Sequence, residues 1–288
     1  MVSDADHPVG VVGLSASPIY SSPDAPTTHT ITTKAHTMYQ DIDYQADDRI
    51  AIITINRPAV LNAIRVQTYR DLITAIKAAE SDDAISVIVL TGAGGRFTAG
   101  NDLSDLLADG DLNGVMEGVG GIFATLAAMK KPLILAQEGV AVGIGANLLL
   151  HADLAYAGKS IRYSLPFAKI GVASEAASSV MLAEAIGPKH AADLLLTGRF
   201  FNAEEAEKWG LLNQAVEDGK ALETALAAAT ELLKNHQGSL RAIKALGRPQ
   251  GYEERVNRTV KAEMEAFAEL LQTPETQMRI QAVLKRGK

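Results

Sequence analysis

An α/β domain is the fold class that this 288-residue sequence predicts, and three observations carry the expectation. The β-branched runs RIAIITINRP (49–58) and ISVIVLTG (85–92) have the composition of buried strands, and Asn-Arg-Pro stops the first of them. Between them, VQTYRDLITAIKAAE (66–80) spaces its apolar residues as an amphipathic helix does. The alternation then recurs, with helical GVMEGVGGIFATLAAMK (114–130) before apolar PLILAQEG (132–139), and ADLAYAG (152–158) after GANLLLHA. Strands alternating with helices imply an α/β domain whose strand-end loops carry the site.

Beyond about residue 176 strand signals thin out. Segments 176–186, 188–196, 219–236, 238–246 and 252–285 read as helices punctuated by Gly and Pro, and LLNQAV (211–216) is a short run that returns to the sheet. Residues 1–37 are rich in Ser, Thr, Pro, Ala and His without periodicity, which predicts a disordered N-terminal extension. A core domain over 38–215 and a C-terminal helical region over 216–288 complete the expected division.

Composition narrows the function. A net charge of −7, from 27 Lys plus Arg against 34 Asp plus Glu, supplies no basic field for nucleic acid. The absence of cysteine excludes disulfides, thiolate catalysis and cysteine-ligated metals. His151 has no second histidine or carboxylate at a metal-ligand spacing, so no metal site is expected. Apolar runs fall short of the roughly 20 residues that span a bilayer, and aspartates stand near the start instead of a basic, then apolar, leader. A cytoplasmic protein without membrane contact is the expectation.

Two glycine-rich loops follow strands. GAGGRFTAGND (92–102) has four glycines in nine residues, and GVAVGIGANLLLHA (139–152) runs from small residues into a helix. Both let a ligand approach backbone N–H groups closely. Gly143-Ile144-Gly145-Ala146-Asn147-Leu148 lacks the last glycine of a dinucleotide fingerprint, and no phosphate-loop motif is present. The loops are either tight strand–helix turns or the two halves of an oxyanion hole, which stabilises charge on a carbonyl oxygen.

Five segments together resemble the enoyl-CoA hydratase/isomerase, or crotonase, superfamily. They are NRPAVLNAI (56–64), VIVLTGAGGRFTAGNDL (87–103), KPLILAQEGVAVGIGANLLLHADLAYAG (131–158), RYSLPFAKIGVASEAASSVMLAEAIG (162–187) and LLLTGRFFNAEEAEKWGLLNQAV (194–216). The resemblance covers residues 40–288. It implies a superhelix of ββα repeats, a C-terminal helical region used in trimerisation, trimers or dimers of trimers, and acyl-CoA thioester substrates. Coenzyme A then belongs to the substrate, and no separate cofactor is expected. The resemblance assigns the oxyanion hole to the amides of Asn101 and Ile144, beside Gly100 and Gly143. It sets Ala63 on the coenzyme A path and brings Phe267 and Lys285 to the coenzyme A of an adjacent subunit. Leu106, Leu107, Met116 and Phe123 are expected to border the acyl pocket.

Hydratases of this superfamily use two glutamates, at positions matched here by Asn147 and Phe167. Asn147 can hydrogen-bond a water or substrate but is no ordinary base, and Phe167 can only pack against the substrate. The stretch LPFAKIGVASEAASS (165–179) instead resembles the Δ3,Δ2-enoyl-CoA isomerase branch, in which one glutamate moves the proton. That residue is Glu175. Because it also stands just before a helix, its carboxylate is either the base of such an isomerase or a helix cap. A hydratase with atypical acid–base groups and a catalytically silent binder of coenzyme A thioesters are the alternatives.

Overall fold

A computed structural model describes residues 39–286; the expected N-terminal extension lies outside the described residues. Strands β1 (Ile42–Asp47) and β2 (Ile50–Ile55) form an antiparallel hairpin, and helix α1 (Val66–Ser81) returns the chain to β3 (Val87–Gly92), parallel to β2. Helix α2 (Leu112–Ala128) leads in the same way to β4 (Leu133–Gln137). Next come the short β5 (Val140–Val142), α3 (Ile144–Asn147), β6 (Leu154–Gly158), β7 (Arg162–Ser164) and α4 (Phe167–Ile170). The succession strand, strand, helix thus recurs in β1-β2-α1, β4-β5-α3 and β6-β7-α4, as expected.

Helices α5 (Ser178–Ile186) and α6 (Pro188–Thr197) precede β8 (Phe200–Asn202), α7 (Ala203–Lys208) and β9 (Gln214–Val216). The main sheet has the order β1-β2-β3-β4-β6-β9, and a second has the order β5-β7-β8. Both faces of the main sheet are covered, which is why its strands read as continuous apolar runs. Ile53, Ile55, Ile88, Leu90, Leu133 and Leu135 face the core shared with α1 and α2. Their neighbours Ile50, Ile52, Val87, Val89 and Ile134 face α8 (Ala221–Leu233), whose Ala221, Ala225 and Ala229 let it lie close to the sheet.

Helices α9 (Gln237–Gly247), α10 (Tyr252–Leu271) and α11 (Pro274–Arg286) complete the described chain. The expected single helix over 252–285 is two, because Pro274 lacks an N–H and cannot continue α10. After the first glycine loop the chain makes a 3₁₀ turn, Leu103–Leu106, whose Ser104 amide donates to Asp102. Helix α7, absent from the sequence reading, has a full capping box between Asn202 and Glu205. Among the described residues no helix is long and apolar enough to cross a membrane, and no three His, Cys, Asp or Glu cluster as metal ligands would.

Candidate active site

The first glycine loop leaves β3 and is held by buried side chains. Asn62 Nδ2 donates to the carbonyls of Ala93 and Arg96 at 2.9 and 2.8 Å, and Thr98 Oγ1 donates to the Asn62 carbonyl at 2.6 Å. Gly100, at φ +91°, packs so tightly on the second loop that a Cβ there would sit 2.7 Å from the Val142 carbonyl oxygen. Only glycine fits both constraints. A parallel bridge then joins Asn101 to Ile64 through the Gly100 carbonyl and the Asp102 amide, each 2.8 Å from its partner on Ile64. Asn101's own N–H therefore points the other way.

The second loop is braced from below. Gln137 Nε2 donates to the Gly145 carbonyl at 3.1 Å, and the Tyr163 hydroxyl donates to Gln137 Oε1 at 2.7 Å. Gly143 has φ +55°, and Ile144 opens α3, so its N–H has no acceptor within the helix. Where an added Cβ of Gly143 would stand, Glu175 Oε1 is 3.6 Å away and Phe167 Cε1 is 3.9 Å away. Loop, carboxylate and ring meet at one point.

Glu175 is 1% exposed. Its Oε2 accepts from Asn101 Nδ2 at 3.0 Å, and its buried Oε1 has no hydrogen-bond partner among the described residues. Burial pushes the carboxyl up from 4.5 to about 7 against the opposing Asn101 bond; the nearby Glu263 charge raises it further. The nearby Ile144 amide also opposes the rise.

The start of α5 shows what Glu175 does not do. Glu263, on α10, accepts from the Ala177 and Ser179 amides at 2.7 and 2.8 Å and from Ser174 Oγ at 3.4 Å. It is the acid that caps α5. Glu175 contributes its carbonyl oxygen instead, which accepts from Asn147 Nδ2 at 3.0 Å and Ser178 Oγ at 2.6 Å. Ala176 and Ala177 between them have φ +70° and +58°, a left-handed pair that costs of order 1 kcal/mol per non-glycine residue. His151 Nε2 holds the Ala176 carbonyl at 2.8 Å. A carbonyl only accepts, so the proton sits on Nε2; burial lowers the imidazole to about 4 and keeps it neutral.

These groups border a cavity of about 400 Å³ lined by Gly100, Asn101, Gly143 and Glu175 on its polar side and by Leu103, Leu106, Phe167, Ile170, Phe267 and Val283 on its apolar side. Several predicted site residues thus come together, and four are outside the lining: Ile144, which adjoins Gly143 with its amide near Glu175, and three that stand further apart. Asn147 is buried behind Glu175 and does not line the cavity: one turn into α3, its amide faces the 175–176 backbone. Ala63 is outside the lining, with its carbonyl accepting from Arg57, and Lys285 is exposed and outside it too. Of the four residues expected at the acyl pocket only Leu106 lines the cavity; Phe123 packs against His151 in the core. Glu263 escaped the sequence reading, although its signal was present as an acid on the apolar stripe Val256, Val260, Met264, Phe267.

Residues 45–288 match the enoyl-CoA hydratase/isomerase family. The 2,3-dehydroadipyl-CoA hydratase of Escherichia coli is 31% identical, over 83% of this chain and 93% of its own length. The 1,2-epoxyphenylacetyl-CoA isomerase of the same organism is 34% identical, over 68% of this chain and 77% of its own. The crystal structure of an enoyl-CoA hydratase/isomerase from Pseudoalteromonas atlantica superposes with a TM-score of 0.78 at 32% identity, covering 86% of this chain and 98% of that one. With the match running through both glycine loops and the Glu175 turn, the chain belongs to the enoyl-CoA hydratase/isomerase family, the crotonase superfamily of acyl-CoA enzymes.

Proposed function

We propose that the protein moves the double bond of a 3-enoyl-CoA to the 2 position, with Glu175 as the only proton carrier. The observation that carries this reading is a single desolvated carboxylate, with Oε1 unpartnered among the described residues, facing an apolar cavity lined by Phe167, the residue that the family resemblance matches to a hydratase's second glutamate.

Glu175, ionised, takes a proton from carbon 2 of the thioester. The electron pair spreads over the thioester oxygen and carbons 2 to 4 as a dienolate, and the oxygen's charge is held by the Asn101 and Ile144 N–H groups. Neutral Glu175 then gives the proton to carbon 4, and the double bond closes between carbons 2 and 3. No water enters the balance and the carboxylate is regenerated. A carboxyl near 7 suits both halves, being basic enough to abstract and acidic enough to return the proton. A homo-oligomer, trimer or dimer of trimers, is the assembly that accompanies this reading.

The hydratase names of many relatives favour a second reading, hydration of a 2-enoyl-CoA. Against it stands the lack, among the described residues, of a second carboxylate in the cavity lining to divide water activation and carbon protonation with Glu175. The silent binder loses its main support, since Glu263 rather than Glu175 caps α5. The test follows the absorbance of the conjugated thioester after mixing protein with a 3-enoyl-CoA and, in parallel, a 2-enoyl-CoA. A rise with the first and no change with the second is expected. Loss of absorbance with the second would establish hydration and reject the proposal.

A further inference from the structure

Asn101 serves the cavity twice. Its backbone N–H belongs to the first glycine loop, and its side-chain Nδ2 holds Glu175 Oε2 at 3.0 Å. For Nδ2 to face the carboxylate, Oδ1 must face away, and there it accepts from the Tyr69 hydroxyl. An ionised carboxylate can only accept, so the amide has one orientation in which both ends are satisfied.

Tyr69 is well placed to enforce that orientation. It lies on α1, fully buried, with its ring against Gly118 of α2, where an added Cβ would come within 2.6 Å of Cγ. Helices α1 and α2 therefore grip the ring and set the direction of the hydroxyl. Burial, with the Glu175 charge adding to it, pushes the phenol well above its usual range and keeps it a donor. The result reaches the reacting atom: with Oε2 engaged by Asn101, the oxygen left without a hydrogen-bond partner among the described residues is Oε1, beside Gly143 and Phe167.

We propose that Tyr69 is a positioning residue that acts through Asn101 to orient the Glu175 carboxylate and reserve Oε1 for proton transfer. This rests on the reading of Glu175 as the base. Removing the hydroxyl frees the Asn101 amide to turn its oxygen toward the carboxylate. The turned oxygen can accept from the protonated carboxyl, so the neutral form gains a partner that the Tyr69 hydroxyl had denied it, and Glu175 titrates at higher pH.

Tyr69→Phe keeps the ring and is the direct test. At neutral pH its kcat is expected to fall about tenfold or more with KM little changed, and its pH profile to move upward. A merely structural hydroxyl would lower the melting temperature and leave that profile in place. Infrared difference spectra of the Glu175 carboxyl, taken without substrate against Glu175→Gln, give a readout independent of turnover. They are expected to show a higher midpoint in Tyr69→Phe, and in Asn101→Ala, which retains the backbone N–H. In the Asn101→Ala background, Tyr69→Phe is expected to add nothing. An unchanged midpoint in folded Tyr69→Phe, or in Asn101→Ala should the first not fold, overturns the proposal, as does an undiminished effect in the double variant. If the wild type does not isomerise at all, the function fails while the infrared midpoint still decides the link.

Discussion

Glu263 occupies the amides at the start of α5 and thereby leaves the Glu175 side chain free to face the cavity. The two acids are far apart in sequence and close in space, and each raises the other's significance. One satisfies helix amides and braces a left-handed turn; the other is held desolvated by that turn.

Glu263→Ala should therefore damage stability and turnover together. Loss of two charge-assisted hydrogen bonds to amides is expected to cost about 2–4 kcal/mol. Relaxation of the Ala176–Ala177 turn is expected to lower kcat although Glu263 is outside the cavity lining. Thermal unfolding and steady-state kinetics check both; full activity in a destabilised variant would separate turn and base.

Glu175 and His151 should impose opposite pH dependences on stability. The folded state raises Glu175 from 4.5 to about 7, so it binds more protons than the unfolded chain in that window, and stability falls as pH rises through it. The folded state lowers His151 from 6.5 to about 4, so there the unfolded chain binds more protons, and stability falls as pH drops. Each amounts to about 3 kcal/mol across its window. They offset one another between about pH 4.5 and 6.5. Denaturant melts over that range should show that Glu175→Gln, relative to wild type, gains stability as pH rises, whereas His151→Gln gains it as pH falls. Parallel curves for all three proteins would contradict the assignment.

Much of this arrangement is legible in the sequence because it follows from local rules. The apolar runs and the helices between them were read as an α/β domain, and the glycines of the two loops marked backbone open to a ligand. Glu175 is an acid among small residues, but its candidacy as base came from the resemblance of the stretch around it and not from a local rule. What was not legible depends on direction and distance. Asn147 has the right place in the chain, but its amide points behind the base. Glu263 is recognisable only once α10 is laid against the α5 start, and the Tyr69–Asn101 contact joins elements 32 positions apart.

The glycines of the two loops should resist even one added methyl. In Gly100→Ala the Cβ would meet the Val142 carbonyl oxygen at 2.7 Å, which forces the loops apart. In Gly143→Ala the Cβ would only touch Glu175 Oε1 at 3.6 Å, and the strain would come from holding a non-glycine residue at φ +55°. A loss of about 10²–10³ in kcat is expected for each, comparable to losing one oxyanion donor. Wild-type kinetics for either variant would show that the loops are not the hole.

The most direct test of Glu175 as a desolvated base is the pH dependence of kcat/KM for 3-enoyl-CoA isomerisation, which reports the free enzyme's ionisation. The rate is expected to fall tenfold per pH unit below about 7, with no activity in Glu175→Gln at any pH. A profile that stays flat down to 4.5, or a Glu175→Gln protein that still isomerises, would contradict the account.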